Sequence, residues 1–220
     1  MNHLEGRINM TNTIAKSIAG SLLSIGAVHL RPDQPFTWTS GIKSPIYCDN
    51  RITMSHPQVR REIARAFAVL IRERYPQAEV VAGTATAGIP HAAWVAELLD
   101  LPMIYVRDKA KGHGRQNQIE GALTAGQKVV VIEDLISTGG SSLKAAQAVQ
   151  AEGGEVLGVV AIFSYQFPDA EALFAEAGVP CTTISNYTAL LEAASEQGVI
   201  TSEQEKILGE WRKSPRTFFG

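Results

Sequence analysis

The 220-residue chain is 45% hydrophobic and 19% charged, with a formal net charge of −2. That balance fits one globular α/β domain with a sizeable core, and it leaves no basic footprint for nucleic acid or an anionic membrane surface. No apolar run approaches the ~20 residues needed to cross a bilayer. The N-terminus lacks an apolar signal core, and Cys48 and Cys181 lie far apart without metal-ligand spacing, so a cytoplasmic protein with two reduced thiols is expected.

Residues 1–10 read as a disordered extension. Residues 11–28 read as an amphipathic helix, with Ile14, Ile18, Leu22 and Ile25 on one face. The stretch 31–51 is rich in Pro, Gly, Ser and Thr and is expected to be irregular or short-stranded. A helix is predicted over 56–75, striped by Val59, Ile63, Phe67, Leu70 and Ile71, with Ser55 as cap, Pro57 in the first turn and Pro76 as stop. An alternation follows: strand 79–83, helix 88–99, strand 102–107, polar loop 108–118, strand 128–133, helix 141–152 closed by Gly153 and Gly154, and strand 158–164. Helix 169–177, strand 181–185 and helices 187–197 and 201–212 complete the chain. Strands alternating with helices imply a parallel sheet covered on both faces.

The segment VVVIEDLISTGGSS, residues 129–142, carries the most chemistry. An apolar strand runs into Glu133 and Asp134, then into Leu135, Ile136, Ser137, Thr138, Gly139, Gly140 and Ser141 at the start of a helix. Ligands of open α/β sheets bind beyond the carboxyl ends of strands. The glycines let backbone N–H groups turn inward, the helix start adds partial positive charge, and the hydroxyls of Ser137, Thr138 and Ser141 add donors, which makes a phosphate cradle. A simple helix cap does not account for two adjacent acids. Paired carboxylates beside a phosphate cradle suit vicinal ribose hydroxyls, and also a nearby Mg²⁺ or a developing positive charge. A P-loop is excluded because no Gly-x-x-x-x-Gly-Lys-Ser/Thr occurs, and Gly112 and Gly114 lack the third glycine of a dinucleotide fingerprint.

The loop RDKAKGHGRQNQ, residues 107–118, has no large apolar residue to bury. Its cations Arg107, Lys109, Lys111 and Arg115, with His113 between two glycines, are what a mobile loop needs to close over a pyrophosphate leaving group. His3, His29, His56 and His91 have no partners at metal-ligand spacing and read as structural or exposed.

Segment 129–142 resembles the phosphoribosyl pyrophosphate signature of type I phosphoribosyltransferases. Loop 107–118 is similar to the catalytic loop of the orotate phosphoribosyltransferases, Arg-x-x-x-Lys-x-His-Gly, matching at Arg107, Lys111, His113 and Gly114. Their base-binding region is matched by Phe36, Ser40, Gly41, Ser44, Pro45, Tyr47, Asp49 and Arg51, and their pyrophosphate loop by residues 83–92. The chain departs from frequent family lysines or arginines at Thr39, Ala87, Asp108 and Tyr165. Lys109 stands next to the gap at Asp108. The partner of the orotate carboxylate stays open among Arg51, Ser137 and backbone amides.

The resemblance implies a single domain, residues 1–220, with a type I phosphoribosyltransferase-like central parallel sheet flanked by helices and a small N-terminal hood within about 11–50. It implies transfer of a phosphoribosyl group from phosphoribosyl pyrophosphate to orotate, as in UMP (pyrimidine) biosynthesis. The donor would be held by Arg107, Lys109, Lys111, His113 and residues 133–141. Arg107, Lys111, His113 and Asp134 would be catalytic, and Tyr47 and Ser137 would meet orotate. Mg²⁺ would bind largely through the substrate, with no dedicated protein ligands. A homodimer is implied, its loop 107–118 reaching the neighbouring site. Two rival readings are a purine phosphoribosyltransferase, disfavoured by segment 36–51, and a non-catalytic sensor of the same donor, disfavoured by the net charge, the lack of an added domain and the cationic loop.

Overall fold

A computed structural model describes residues 3–38, 41–108 and 118–219, with side chains from residue 12 onward. The first helix, α1 (His3–Ser24), begins earlier and ends earlier than the periodicity implied. Residues 3–10, expected as an extension, continue its backbone, because no proline breaks the run between 3 and 24. It ends at Gly26, whose φ of +70° permits a Schellman turn: the Ala27 N–H donates to the Leu22 carbonyl (2.9 Å) and the Gly26 N–H to that of Leu23 (3.1 Å).

Four short strands follow as two antiparallel pairs. β1 (Val28–Leu30) pairs with β4 (Ile46–Cys48), and β2 (Phe36–Thr37) with β3 (Lys43–Ser44). These are the short strands expected from the turn-rich composition, and they form the hood that the resemblance implied. A 3₁₀ turn, Asn50–Ser55, leads into α2 (Pro57–Arg74). Pro57 sits at the first position of α2 as predicted, but Ser55 does not cap it: Ser55 belongs to the 3₁₀ turn, and His56 takes the cap position without a side-chain bond.

The main sheet comprises β5 (Val80–Thr84), β6 (Met103–Val106), β7 (Ile119–Glu120), β8 (Lys128–Ile136), β9 (Glu155–Ser164) and β10 (Cys181–Asn186). Its order is β10-β9-β8-β5-β6-β7. All neighbours are parallel except β6 and β7, so the expected parallel sheet gains one antiparallel edge. β7 has only two residues and gives no periodic signal of its own. The helices α3 (Gly88–Leu99), α4 (Gly140–Ala151), α5 (Pro168–Glu176), α6 (Tyr187–Glu196) and α7 (Ser202–Lys213) complete the layers. One buried cluster (Ile18, Leu22, Ile63, Phe67, Val130, Ile132, Tyr187, Trp211) fills the face under α1, α2 and α6. The other (Val129, Val131, Leu143, Ala146, Val149, Phe174) fills the face under α4 and α5. β8 and β9 lie between them, which is why both read as unbroken apolar runs.

The C-terminal helix braces the hood. Trp211 donates Nε1–H to the Lys43 carbonyl (3.2 Å), Gln204 donates to Asp33 (2.7 Å), and Trp211 meets Trp38 edge-on at 6.1 Å. No described helix is long and apolar enough to cross a membrane.

Candidate active site

Asp134, expected just beyond a strand that ended at Glu133, lies inside β8. β8 runs on to Ile136 because its neighbour β9 continues pairing through Leu135↔Phe163 and Ile136↔Ser164. Side chains of a regular strand alternate between faces. Here the alternation slips: Val130, Ile132 and Leu135 pack on one side of the sheet, Val129, Val131 and Ile136 on the other. The two adjacent acids have different surroundings, Glu133 buried and Asp134 half-buried.

Glu133 is only 5% exposed. Its Oε2 accepts from the Ser142 hydroxyl (2.9 Å) and its Oε1 from the Asp134 N–H (3.0 Å). Burial, and then the neighbouring Asp134 carboxyl, raise the Glu133 pKa, while those two donors oppose the rise. Asp134 is half-buried and feels Asp49 and Arg51 of the hood. Its pKa is also raised by burial. Asp49 itself is tied to Arg51 by two bonds, 2.6 and 2.7 Å, and the guanidinium holds the Asp49 carboxyl below its usual range.

The turn after β8 has the form the sequence implied. Gly139 caps α4 with φ +80°, a conformation open to glycine, and a Cβ there would stand 2.8 Å from the Phe174 ring. No side chain caps α4, so the N–H groups of its first turn keep their capacity for an anion. Gly88 starts α3 against the same strand. A Cβ on it would meet the Ile132 carbonyl oxygen at 2.5 Å, so only glycine lets the 84–88 turn approach β8 this closely.

Two clefts flank the end of β8. One, of about 520 Å³, lies under the hood and is lined by Phe36, Thr37, Trp38, Tyr47, Cys48, Leu135, Ser137 and Tyr165. Its aromatic wall is continuous, with Trp38 and Tyr165 centroids 5.5 Å apart and Tyr165 stacked on Phe167 at 5.2 Å. The other, of about 630 Å³, brings Thr84, Arg107, Gly140, Ser141 and Lys144 together. The predicted site residues thus distribute clearly. Tyr47, Leu135 and Ser137 face the first cleft, and Arg107, Gly140 and Ser141 face the second. Ile136 does not contribute a side chain, being buried in the α4 face of the core. Thr138 is exposed on the turn.

Arg107 is anchored at the base of the catalytic-type loop. It pairs with Glu120 (3.4 Å), and its N–H donates to the Gln118 carbonyl (2.8 Å), so β6 and β7 form a fixed stem. Lys109, Lys111, His113 and Arg115 lie outside the described residues, as do Thr39 and Ser40. Sequence reasoning missed Ser142, the partner of Glu133, and Lys144 in the second cleft. Ser142 follows Ser141 in a helix start where either could have been the functional hydroxyl, and only burial distinguishes them.

A glycine turn leading from a central strand into a helix, two acids on that strand and a hooded cleft beside it fit a phosphoribosyltransferase fold. Residues 54–172 match the phosphoribosyl transferase domain family. Over 205 residues the chain is 58% identical to an orotate phosphoribosyltransferase of Enterococcus faecalis, covering 93% of this chain and 98% of that one. The solved orotate phosphoribosyltransferase of Aeropyrum pernix superposes with a TM-score of 0.73 at 28% identity, covering 84% of this chain and 99% of that one. The Mycobacterium tuberculosis orotate phosphoribosyltransferase, solved in complex with 5-phospho-alpha-D-ribosyl 1-diphosphate, gives a TM-score of 0.62 at 28% identity, covering 80% and 98%. The chain belongs to the orotate phosphoribosyltransferase family.

Proposed function

We propose that this chain transfers the phosphoribosyl group of phosphoribosyl pyrophosphate to orotate, releasing pyrophosphate. The observation that carries this reading is that one turn serves both clefts: Ser137 lines the aromatic cleft while Gly140 and Ser141, a few residues on, line the cleft of Arg107 and Thr84. A flat base in the first cleft and a sugar phosphate on the turn would then meet at the end of β8.

In this reading orotate lies against the wall of Trp38 and Tyr165, with Tyr47 and Ser137 at its edge. The 5′-phosphate rests on residues 137–141 at the start of α4. Asp134 accepts from the ribose hydroxyls, while Glu133, its two oxygens already bonded, supports Asp134 and the strand end. The orotate nitrogen forms a bond to C1 as the bond from C1 to the pyrophosphate oxygen breaks, and positive charge develops on the ribose. The chain contributes positioning and electrostatic stabilisation, with no covalent nucleophile. Arg107, Lys109, Lys111 and His113 neutralise the departing pyrophosphate, and the proton released from the orotate N–H leaves with it, with His113 or a lysine as the donor that hands it over.

Mg²⁺ takes one or two carboxylates and completes its shell with substrate oxygens and water. Held largely through the substrate, the ion would supply charge neutralisation on the diphosphate, with Asp134 the accessible carboxylate beside it. A homodimer in which loop 107–118 reaches the neighbouring site, and a cytoplasmic location suited to the unpaired Cys48 and Cys181, complete the proposal. The test is direct. Purified protein with Mg²⁺ should consume orotate, followed by its ultraviolet absorbance, only when the phosphoribosyl donor is supplied. Consumption without the donor, or none with it, refutes the assignment.

A further inference from the structure

Beyond Ile132, β8 loses its strand partner on the β5 side, since β5 pairs only as far as Gly83↔Ile132. The Ile132 carbonyl oxygen abuts Gly88 at the start of α3. The Asp134 carbonyl is taken instead by a side chain from the base of the hood: Asn50 donates Nδ2–H to it at 2.7 Å. Asn50 is 1% exposed, and both the nitrogen and the oxygen of its amide are engaged. Its Oδ1 accepts from the Cys48 thiol (3.4 Å), and Cys48 lines the aromatic cleft. Its own carbonyl accepts from the Thr53 hydroxyl (2.6 Å). Thr53 Oγ1 lies 3.4 Å from His91 Nε2 on α3. Because the Thr53 hydroxyl donates to Asn50, it accepts from the imidazole, which places the ring proton on Nε2 and leaves the buried Nδ1 bare.

We infer that Asn50 is a positioning residue for the transfer, holding the Asp134 peptide so that its carboxylate is presented to the ribose, and tying that carboxylate to both the base cleft and the pyrophosphate turn. This rests on the reading of Asp134 given above. The arrangement suits an amide better than any charged group. Asp49, Arg51, Glu133 and Asp134 already crowd the strand end, and a neutral donor adds no further charge. The Asp134 carbonyl also orients the amide, since it can only accept: the nitrogen must face it, which leaves the amide oxygen to take the Cys48 thiol.

The experiment is a double-mutant cycle in steady-state kinetics with Asn50→Leu, Asp134→Asn and the pair. Asn50→Leu keeps the branched shape of the side chain, removes the donor and leaves a buried carbonyl unpaired. Turnover should fall about 10- to 100-fold, with the KM for orotate changed by less than about 2-fold. In the Asp134→Asn background the same change should cost less than about 3-fold, because the group it positions is already altered. Additive losses, or turnover of Asn50→Leu within 2-fold of the parent, overturn the inference. If Asn50→Leu does not fold, Thr53→Val, which removes the hydroxyl bracing Asn50, decides in the same cycle: a non-additive loss supports the inference and an additive or absent one defeats it. Wild-type kinetics in Asp134→Asn alone would instead overturn the reading of the acid pair.

Discussion

Replacing Ser142 by alanine isolates the support of the buried acid. Ser142 is 1% exposed and Glu133 5%, so no water substitutes freely for the lost hydroxyl. The bond measures 2.9 Å and its acceptor can be charged. A hydrogen bond of that kind contributes about 1.5–3 kcal/mol. For a chain of this size each kcal/mol moves Tm by roughly 2–4 °C, so a loss of about 3–12 °C is expected where Glu133 is ionised. The pH dependence is the sharper signature. Burial raises the native pKa of Glu133 above its unfolded value, so its contribution to stability is fully present below the ordinary glutamate range. That contribution is lost as pH rises through the native value. Ser142 limits that loss by favouring the charged form. Ser142→Ala should therefore match the parent in acid, where Glu133 is protonated in both, and fall progressively behind as pH rises. Melting curves by circular dichroism across that range provide the assay. A deficit that is constant with pH, or one that persists undiminished in a Glu133→Gln background, would refute the reasoning.

Other perturbations separate the parts of the site. Gly88→Ala places a Cβ 2.5 Å from the Ile132 carbonyl oxygen, and neither backbone can yield cheaply, so a loss of about 1–3 kcal/mol or more is expected in urea melts; an unchanged midpoint would contradict the packing described. Tyr47 is 41% exposed, so Tyr47→Ala should alter stability by less than about 0.5 kcal/mol while raising the KM for orotate, and an unchanged KM removes Tyr47 from the base cleft. Burial lowers the pKa of His91 from 6.5 to about 4, so its contribution is present above the unfolded value and is lost as pH falls toward the native one. His91→Gln should accordingly flatten the dependence of Tm on pH between 6.5 and 4; an unaltered slope there would show that the imidazole is not held neutral.

The elements of the α/β layers were legible because each has a local cause. Helix α2 carries its stripe and its Pro57 within 18 residues, and β8 and β9 are apolar throughout because helices cover both faces of their sheet. The glycine turn after β8 was legible for the same reason, since Gly139, Gly140 and Ser141 are contiguous and the turn's conformation depends on their being so. Boundaries were less secure where the deciding partner is remote. β8 extends through both acids because β9 continues beside it, and β7 exists because the stem of loop 107–118 folds back on β6. What only the tertiary structure decided are the pairings themselves: Ser142 to Glu133 between α4 and β8, Asn50 to Asp134 across 84 positions, and Trp211 to Lys43 across 168. A polar side chain announces in sequence that it can hydrogen-bond, but not with which group, because a buried partner is selected by where the packed elements bring it. The chemistry at the end of β8 was thus written in one contiguous stretch, and its orientation was set by residues folded in from the hood, from α4 and from the C-terminal helix.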